Sequence, residues 1–149
     1  MNSQGPEWRA HQENLAKHEE LRALIVAIGE ALQRRSATID EVSDMLAKLG
    51  DRLVKRFAME EDGGYFAEAI MHAPQLVAKA NALLAQHPKM RALAENLALH
   101  VQGRNDASDD WWPRTAELFN AFCVEFARHE RQENVLIQEA YHQDIGATD

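Results

Sequence analysis

Ionisable side chains interrupt the apolar stripes of four predicted helices. The stripes follow the period of an amphipathic α-helix, yet at four places an imidazole or a charged group stands where Leu, Ile or Phe is expected. The interrupting residues are His18, Arg56 with Glu60, His87, and His129 with Glu133. Burial of such groups is costly unless they are paired or hold a metal ion. The pattern therefore predicts that they meet inside a helical bundle.

The periodicity is helical along the whole chain, and no segment shows the alternation of a strand. Thr38 and Glu41 form a capping box that opens the second helix. Pro74 ends it, because the residue before a proline disfavours the helical region. We expect this helix to continue through Gly63 and Gly64, since packing in a bundle can offset a cost of about 1 kcal/mol per glycine.

Pro88 lies inside the third predicted helix and is expected to kink it. A polar stretch, residues 102–110, separates this helix from the fourth, which begins after Asp109 or Asp110. The four predicted helices cover residues 6–35, 39–71, 74–101 and 111–142. Short connections between long helices favour antiparallel neighbours. The sequence predicts an all-α, up-down-up-down antiparallel four-helix bundle, a single domain over residues 1–149 with a core of about 6–142.

The interrupting residues lie at similar distances from the predicted turns. In an antiparallel pair, residues equally far from the connecting turn have the same height. At a rise of 1.5 Å per residue, the four positions differ in height by about 3 Å or less. The four helices are therefore expected to bring these side chains into one layer.

Imidazole and carboxylate are ligands of iron, manganese and zinc. The four-residue spacing of His129 and Glu133 places both on one helix face. Glu60 and Glu133 come from different helices and could bridge two metal ions, with His18, His87 and His129 as terminal ligands. The sequence predicts a metal site built from these five residues.

The chain resembles the hemerythrin-like domains of the HHE cation-binding family. That family has a His in helix 1, His-xxx-Glu in helix 2, a His in helix 3 and His-xxx-Glu in helix 4. The matching segments here are KHEELRAL, RFAMEED, LLAQHPKM and FARHERQENVL, with His18, Glu60, His87, His129 and Glu133 at the family's ligand positions. The resemblance covers nearly the whole chain.

The resemblance implies a non-haem iron centre of one or two ions, with Glu60 and Glu133 as bridging carboxylates. It implies binding or sensing of O2, nitric oxide or redox state, or the handling of iron. No separate general acid or nucleophile is visible in the sequence, so we do not expect an enzyme, and a weak oxidase or peroxidase activity of the metal centre is left as an alternative.

Arg56 stands where the family has the helix 2 His. A guanidinium stays protonated and cannot ligate a metal ion. Three arrangements follow. The site can hold a single ion through His87, His129 and the two carboxylates. It can be metal-free, with Arg56 paired to Glu60 and Glu133 in a protein that acts as an interaction module. Alternatively, Arg56 extends outward to solvent and Glu61 serves as an additional ligand.

The remaining sequence features limit the partners. A net charge of −8 disfavours binding to nucleic acid or to anionic membranes. The chain has no apolar segment typical of a secretory signal or a transmembrane helix, and its single cysteine fits a reducing compartment. We expect a cytoplasmic protein, monomeric or homodimeric, whose partner is a small diatomic ligand such as O2.

Overall fold

The computed structural model describes residues 6–62, 66, 70–71, 73–103 and 110–148, with side chains described from residue 19 to residue 141 within those ranges. Five α-helices and one 3-10 turn have defined bounds in the described parts, and Phe66, Ile70 and Met71 are also helical. The elements with defined bounds are α1 Pro6–Arg34, α2 Ile39–Glu61, the 3-10 turn Pro74–Leu76, α3 Val77–Leu84, α4 His87–Gln102 and α5 Trp111–Thr148.

Local signals set the connection between α1 and α2. Arg35 adopts a positive φ of 50°, and the Ser36 amide donates to the Ala31 carbonyl at 3.3 Å. This pattern ends a helix by satisfying one of its last carbonyls. The predicted capping box is present: the Glu41 amide donates to Thr38 Oγ1 at 3.1 Å, and the Thr38 amide donates to Glu41 Oε1 at 2.9 Å.

Helix α2 ends earlier than predicted. Its last residue is Glu61, with Asp62 as the C-cap, so α2 ends before the predicted residue 71. The predicted passage through Gly63 and Gly64 lies outside the described residues, while Phe66, Ile70 and Met71 beyond it are helical. Two glycines follow Asp62 in the sequence. Each costs about 1 kcal/mol in a helix interior relative to alanine, which favours an end of α2 before them.

The predicted third helix is also divided. Gln86 bonds back to Leu83 at 3.1 Å in a tighter turn, and α4 begins at His87. Pro88 has no N–H to donate to the preceding turn, which is why the chain breaks here where a kink was expected. At the other end of the chain, α5 extends to Thr148 and so passes the predicted end at 142.

Four of the described helices, α1, α2, α4 and α5, form one packed group, and the shorter α3 lies against α5. Helix α1 contacts α2 and α5, and α4 also contacts both α2 and α5. The predicted all-α class is confirmed for the described residues, which contain no strand. Within these ranges no helix offers an apolar stretch long enough to cross a lipid bilayer.

The predicted stripes form the interior. On α2, the buried residues follow the helical period and include both predicted ionisable residues: Val42, Leu46, Leu49, Leu53, Arg56, Phe57 and Glu60. The buried apolar residues fall into two clusters. A large one joins α1, α2, α4 and α5 and extends as far as Phe57, Met90 and Phe126. A smaller one contains Leu83 of α3 and Leu136 of α5. The buried ionisable residues of α2, α4 and α5 lie between the two clusters along the helices.

Phe122 tests the larger cluster. Its side chain is fully buried (0% exposed) and stacks on Phe126, with ring centroids 5.7 Å apart. We expect Phe122→Ala to lower the free energy of unfolding by about 3–5 kcal/mol, because it removes buried area and leaves a cavity. Urea denaturation measures this loss. Val124→Ala, at a 67% exposed position on the same helix, is the control and should change stability little. Equal losses would contradict the assignment of the core.

Candidate metal centre

Three helices contribute five buried ionisable residues to one polar layer. Helix α2 supplies Arg56 and Glu60 one turn apart, and α5 supplies His129 and Glu133 at the same spacing. His87 is the first residue of α4. We call these five residues the polar layer. Arg56 is 7% exposed, and the other four are between 0 and 3% exposed.

Both imidazoles of the layer approach the same carboxylate. Nε2 of His87 lies 2.8 Å from Glu60 Oε1, and Nε2 of His129 lies 3.3 Å from the same oxygen. Nε2 of His129 also lies 3.0 Å from Glu133 Oε2. One ligand atom from each of Glu60, His87 and His129 lies within 4.8 Å of the others. Atoms this close can share one cation.

The second nitrogen of each imidazole is held by an acceptor outside the layer. Nδ1 of His87 lies 2.6 Å from Glu61 Oε2, and Nδ1 of His129 lies 2.8 Å from Gln86 Oε1. Histidines that bind metal ions usually donate their other N–H to such a group, which sets the ring orientation. Glu61, predicted as a possible ligand, therefore contacts the nitrogen of His87 that faces away from Glu60.

In addition to the contacts at Nε2 and Nδ1, aromatic packing holds the two imidazole rings. The Phe57 ring stacks on His87 with centroids 3.9 Å apart and an interplanar angle of 8°. His87 and His129 meet edge to face at 5.1 Å. Phe57 is fully buried, so the position of the His87 ring is set by packing as well as by hydrogen bonds.

Arg56 points into the layer. Its Nη2 donates to Glu133 Oε1 at 2.6 Å, and its Nε lies 3.2 Å from Glu60 Oε2. The alternative in which Arg56 extends outward to solvent is therefore wrong. The guanidinium offsets part of the negative charge of two buried carboxylates that lie close together.

Three buried polar atoms of the layer have no aligned hydrogen-bond partner among the described residues: Arg56 Nε, Glu60 Oε2 and Glu133 Oε2. Buried polar atoms are normally paired. Glu60 Oε2 already faces the Arg56 guanidinium, but Glu133 Oε2 lies 3.0 Å from His129 Nε2 and can bind a cation. The donor set of the layer thus fits a metal ion.

The protonation equilibria reflect the crowding of charges. Burial raises the pKa of Glu60, but contacts with His129 and His87 and the charge of Arg56 outweigh it and lower the pKa to about 2. Burial lowers the pKa of His129, whereas its contacts with Glu133 and Glu60 raise it to about 9. Burial and the charge of Glu60 raise the pKa of Glu133 despite its contact with His129. The layer holds protons that a cation would displace.

The layer does not account for every predicted ligand. His18 lies in α1, but its side chain is outside the described residues. His100 is separate from the layer: its Nε2 contacts Thr115 Oγ1 at 2.9 Å. Gln86 was not identified from the sequence. The only local signal is that it immediately precedes His87 and Pro88, where the helix breaks.

Arg56→Met tests the charge balance. In chelator-treated protein we expect it to lower the free energy of unfolding by about 3–5 kcal/mol, because two buried carboxylates lose their counterion. Combining it with Glu133→Gln should cost less than the sum of the two single changes, by about 1–3 kcal/mol.

The control for this measurement is Arg52→Met. Arg52 pairs with Glu20 at 2.8 Å, but the side chains are 45% and 61% exposed, and such pairs contribute about 1 kcal/mol or less. Equal losses for Arg52→Met and Arg56→Met in urea denaturation would contradict a buried, energetically coupled layer.

Comparisons of the chain with protein-family models, curated proteins and solved structures found no match. The hemerythrin resemblance therefore rests on the sequence pattern alone. The fold and site together establish an all-α helical bundle with a buried cluster of Glu60, His87 and His129 that could hold a metal ion.

Proposed function

We propose that this protein binds one divalent transition-metal ion, iron in the first instance, at Glu60, His87 and His129. It would be a hemerythrin-like protein with a degenerate site, folded as an up-down-up-down antiparallel bundle and located in the cytoplasm. One observation carries the proposal. Two imidazole Nε2 atoms approach Glu60 Oε1 at 2.8 and 3.3 Å while both Nδ1 atoms already contact acceptors outside the layer.

The lone pairs on the imidazole Nε2 atoms and on the Glu60 oxygen explain why this arrangement favours a cation. An imidazole that donates through Nδ1 presents a lone pair at Nε2 when it is neutral. In His87 and His129 that lone pair would face a carboxylate oxygen. Either a proton on each Nε2 or a shared cation must then lie between nitrogen and oxygen. A metal ion bound by two imidazoles and one carboxylate is a common non-haem iron arrangement with open coordination positions.

Arg56 explains why a single ion is proposed. In a two-ion site, Glu60 and Glu133 would each offer an oxygen to a second ion. Here the guanidinium lies against Glu133 Oε1 and Glu60 Oε2. Its fixed positive charge would repel a second dication at that end of the layer. Of the four oxygens of Glu60 and Glu133, the one that contacts neither Arg56 nor His87 is Glu133 Oε2. It lies 3.0 Å from His129 Nε2, on the side of the first ion.

The bound ion would supply an open position for a small ligand such as O2 or nitric oxide. The residues of the layer would hold the ion and set its charge. Phe57 and the two apolar clusters would limit the access of water. The described side chains of the layer contain no alcohol or thiol nucleophile, and binding or sensing is proposed in preference to catalysis.

Metal analysis tests the proposal. Protein purified in air without chelator and then reconstituted with Fe²⁺ under anaerobic conditions should contain about one equivalent of iron by elemental analysis. His87→Ala should lower the iron content several-fold, because it removes one of three ligands. His100→Ala, which alters a histidine outside the layer, should retain the iron. Less than a tenth of an equivalent of any transition metal in the parent protein would overturn the proposal.

The affinity should depend on pH. A metal ion at His129 must displace the Nε2 proton, and the pKa of His129 is raised to about 9. As the pH is lowered below 9, the apparent affinity should therefore decrease by about tenfold per pH unit if one proton is released. Above pH 9 the affinity should no longer change with pH. Zn²⁺ titrations between pH 7 and pH 9, with proton release measured in two buffers, examine this. An affinity that does not change with pH would contradict binding through His129.

A second candidate function is a metal-free interaction module. The inward ion pairs of Arg56 favour it, since they already balance part of the carboxylate charge. In this case the parent protein binds no metal, and Arg56→His gains at least one equivalent of iron by adding a ligand. If chelator lowers the melting temperature of the purified parent protein by many degrees, a bound ion stabilises the fold and the metal-free function is excluded.

A further inference from the structure

Gln86 occupies the break between α3 and α4. Its backbone N–H donates to the Leu83 carbonyl at 3.1 Å, and its backbone carbonyl accepts from the Met90 N–H at 3.4 Å. The next residue, His87, is fully buried. The backbone of Gln86 keeps right-handed helical dihedrals (φ −80°, ψ −18°), and its half-buried side chain precedes that of His87 at the edge of the polar layer.

The orientation of the Gln86 amide follows from its two contacts. Its Nε2 donates to Gln132 Oε1 at 2.7 Å, so its Oε1 is the atom that lies 2.8 Å from Nδ1 of His129. An amide oxygen only accepts hydrogen bonds. The contact therefore requires a proton on Nδ1 of His129 and leaves Nε2 as the nitrogen that faces Glu60 and Glu133.

We propose that Gln86 is a positioning residue for the metal centre. It keeps the proton of His129 on Nδ1 and fixes the ring so that Nε2 is the nitrogen offered to the ion. Gln132, an exposed residue three positions after His129 on α5, holds the amide of Gln86 in that orientation. This inference rests on the proposed metal-binding function, but its structural part concerns the metal-free protein as well.

The two imidazoles are held by chemically different groups. His87 donates to the Glu61 carboxylate, which is 39% exposed and also accepts from Arg91 at 3.3 Å. His129 donates to a neutral amide. A carboxylate partner increases the basicity of a ligating imidazole more than an amide does. Gln86 thus contributes orientation to His129 without adding a negative charge beside a layer that already contains Glu60 and Glu133.

Three variants test the role of Gln86. Gln86→Leu removes the acceptor at similar volume, Gln86→Glu restores an acceptor, and Gln102→Leu makes the same replacement at an exposed glutamine of α4. Zn²⁺ affinity is measured by calorimetry. We expect Gln86→Leu to weaken it by about 10–100-fold, and Gln86→Glu and Gln102→Leu to stay within a few-fold of the parent. An affinity in Gln86→Leu within twofold of the parent would overturn the proposal.

A second readout does not need metal. In the metal-free protein, NMR should detect a slowly exchanging Nδ1–H proton on the His129 ring. The signal should be lost in Gln86→Leu and retained in Gln86→Glu and Gln102→Leu. If the parent binds no Zn²⁺, the metal-binding function fails, and this signal alone decides the positioning role. Its persistence in Gln86→Leu would contradict that role, and its loss would support it.

Discussion

The contact of two histidines and one arginine with the Glu60 carboxylate is the interaction on which the interior depends. One oxygen of Glu60 faces His87 and His129, and the other faces Arg56. Three helices are thereby joined through a single side chain that is 3% exposed. An unpaired carboxylate at this depth would be strongly unfavourable. The packing of α2 against α4 and α5 is therefore tied to the positive charge gathered around Glu60, whether that charge comes from protons, from Arg56 or from a metal ion.

The position of the layer between two apolar clusters gives it chemical consequences. A low-polarity environment strengthens each electrostatic contact and raises the cost of each unsatisfied atom. Glu60 Oε2 and Glu133 Oε2 each lack an aligned hydrogen bond among the described residues, and burial makes this costly. A cation would offset the desolvation of Glu133 Oε2, which lies 3.0 Å from His129 Nε2, whereas Glu60 Oε2 already faces the Arg56 guanidinium. Arg56 meets part of that need, which makes this layer different from one built to hold two ions.

Much of the layer was predictable, because helical periodicity reports burial directly. A four-residue spacing places Arg56 with Glu60, and His129 with Glu133, on single helix faces, and all four are buried. The break at Gln86 was not predictable from periodicity. Pro88 signalled a disturbance, but a kink and a break differ by only one or two backbone hydrogen bonds, and the pattern of apolar residues is the same for both. The early end of α2 was missed because the glycine cost was judged smaller than the gain from packing.

The sequence by itself determined that the chain is helical and which ionisable residues enter its interior. Those properties depend on interactions between near neighbours and on the repeat of one helix turn. Only the tertiary structure decided which nitrogen of each histidine faces Glu60, that Arg56 turns inward, and that Gln86 and Glu61 hold the two rings from outside. These depend on side-chain orientation and on contacts between residues far apart in the chain, such as Gln86 with His129, which no local pattern encodes.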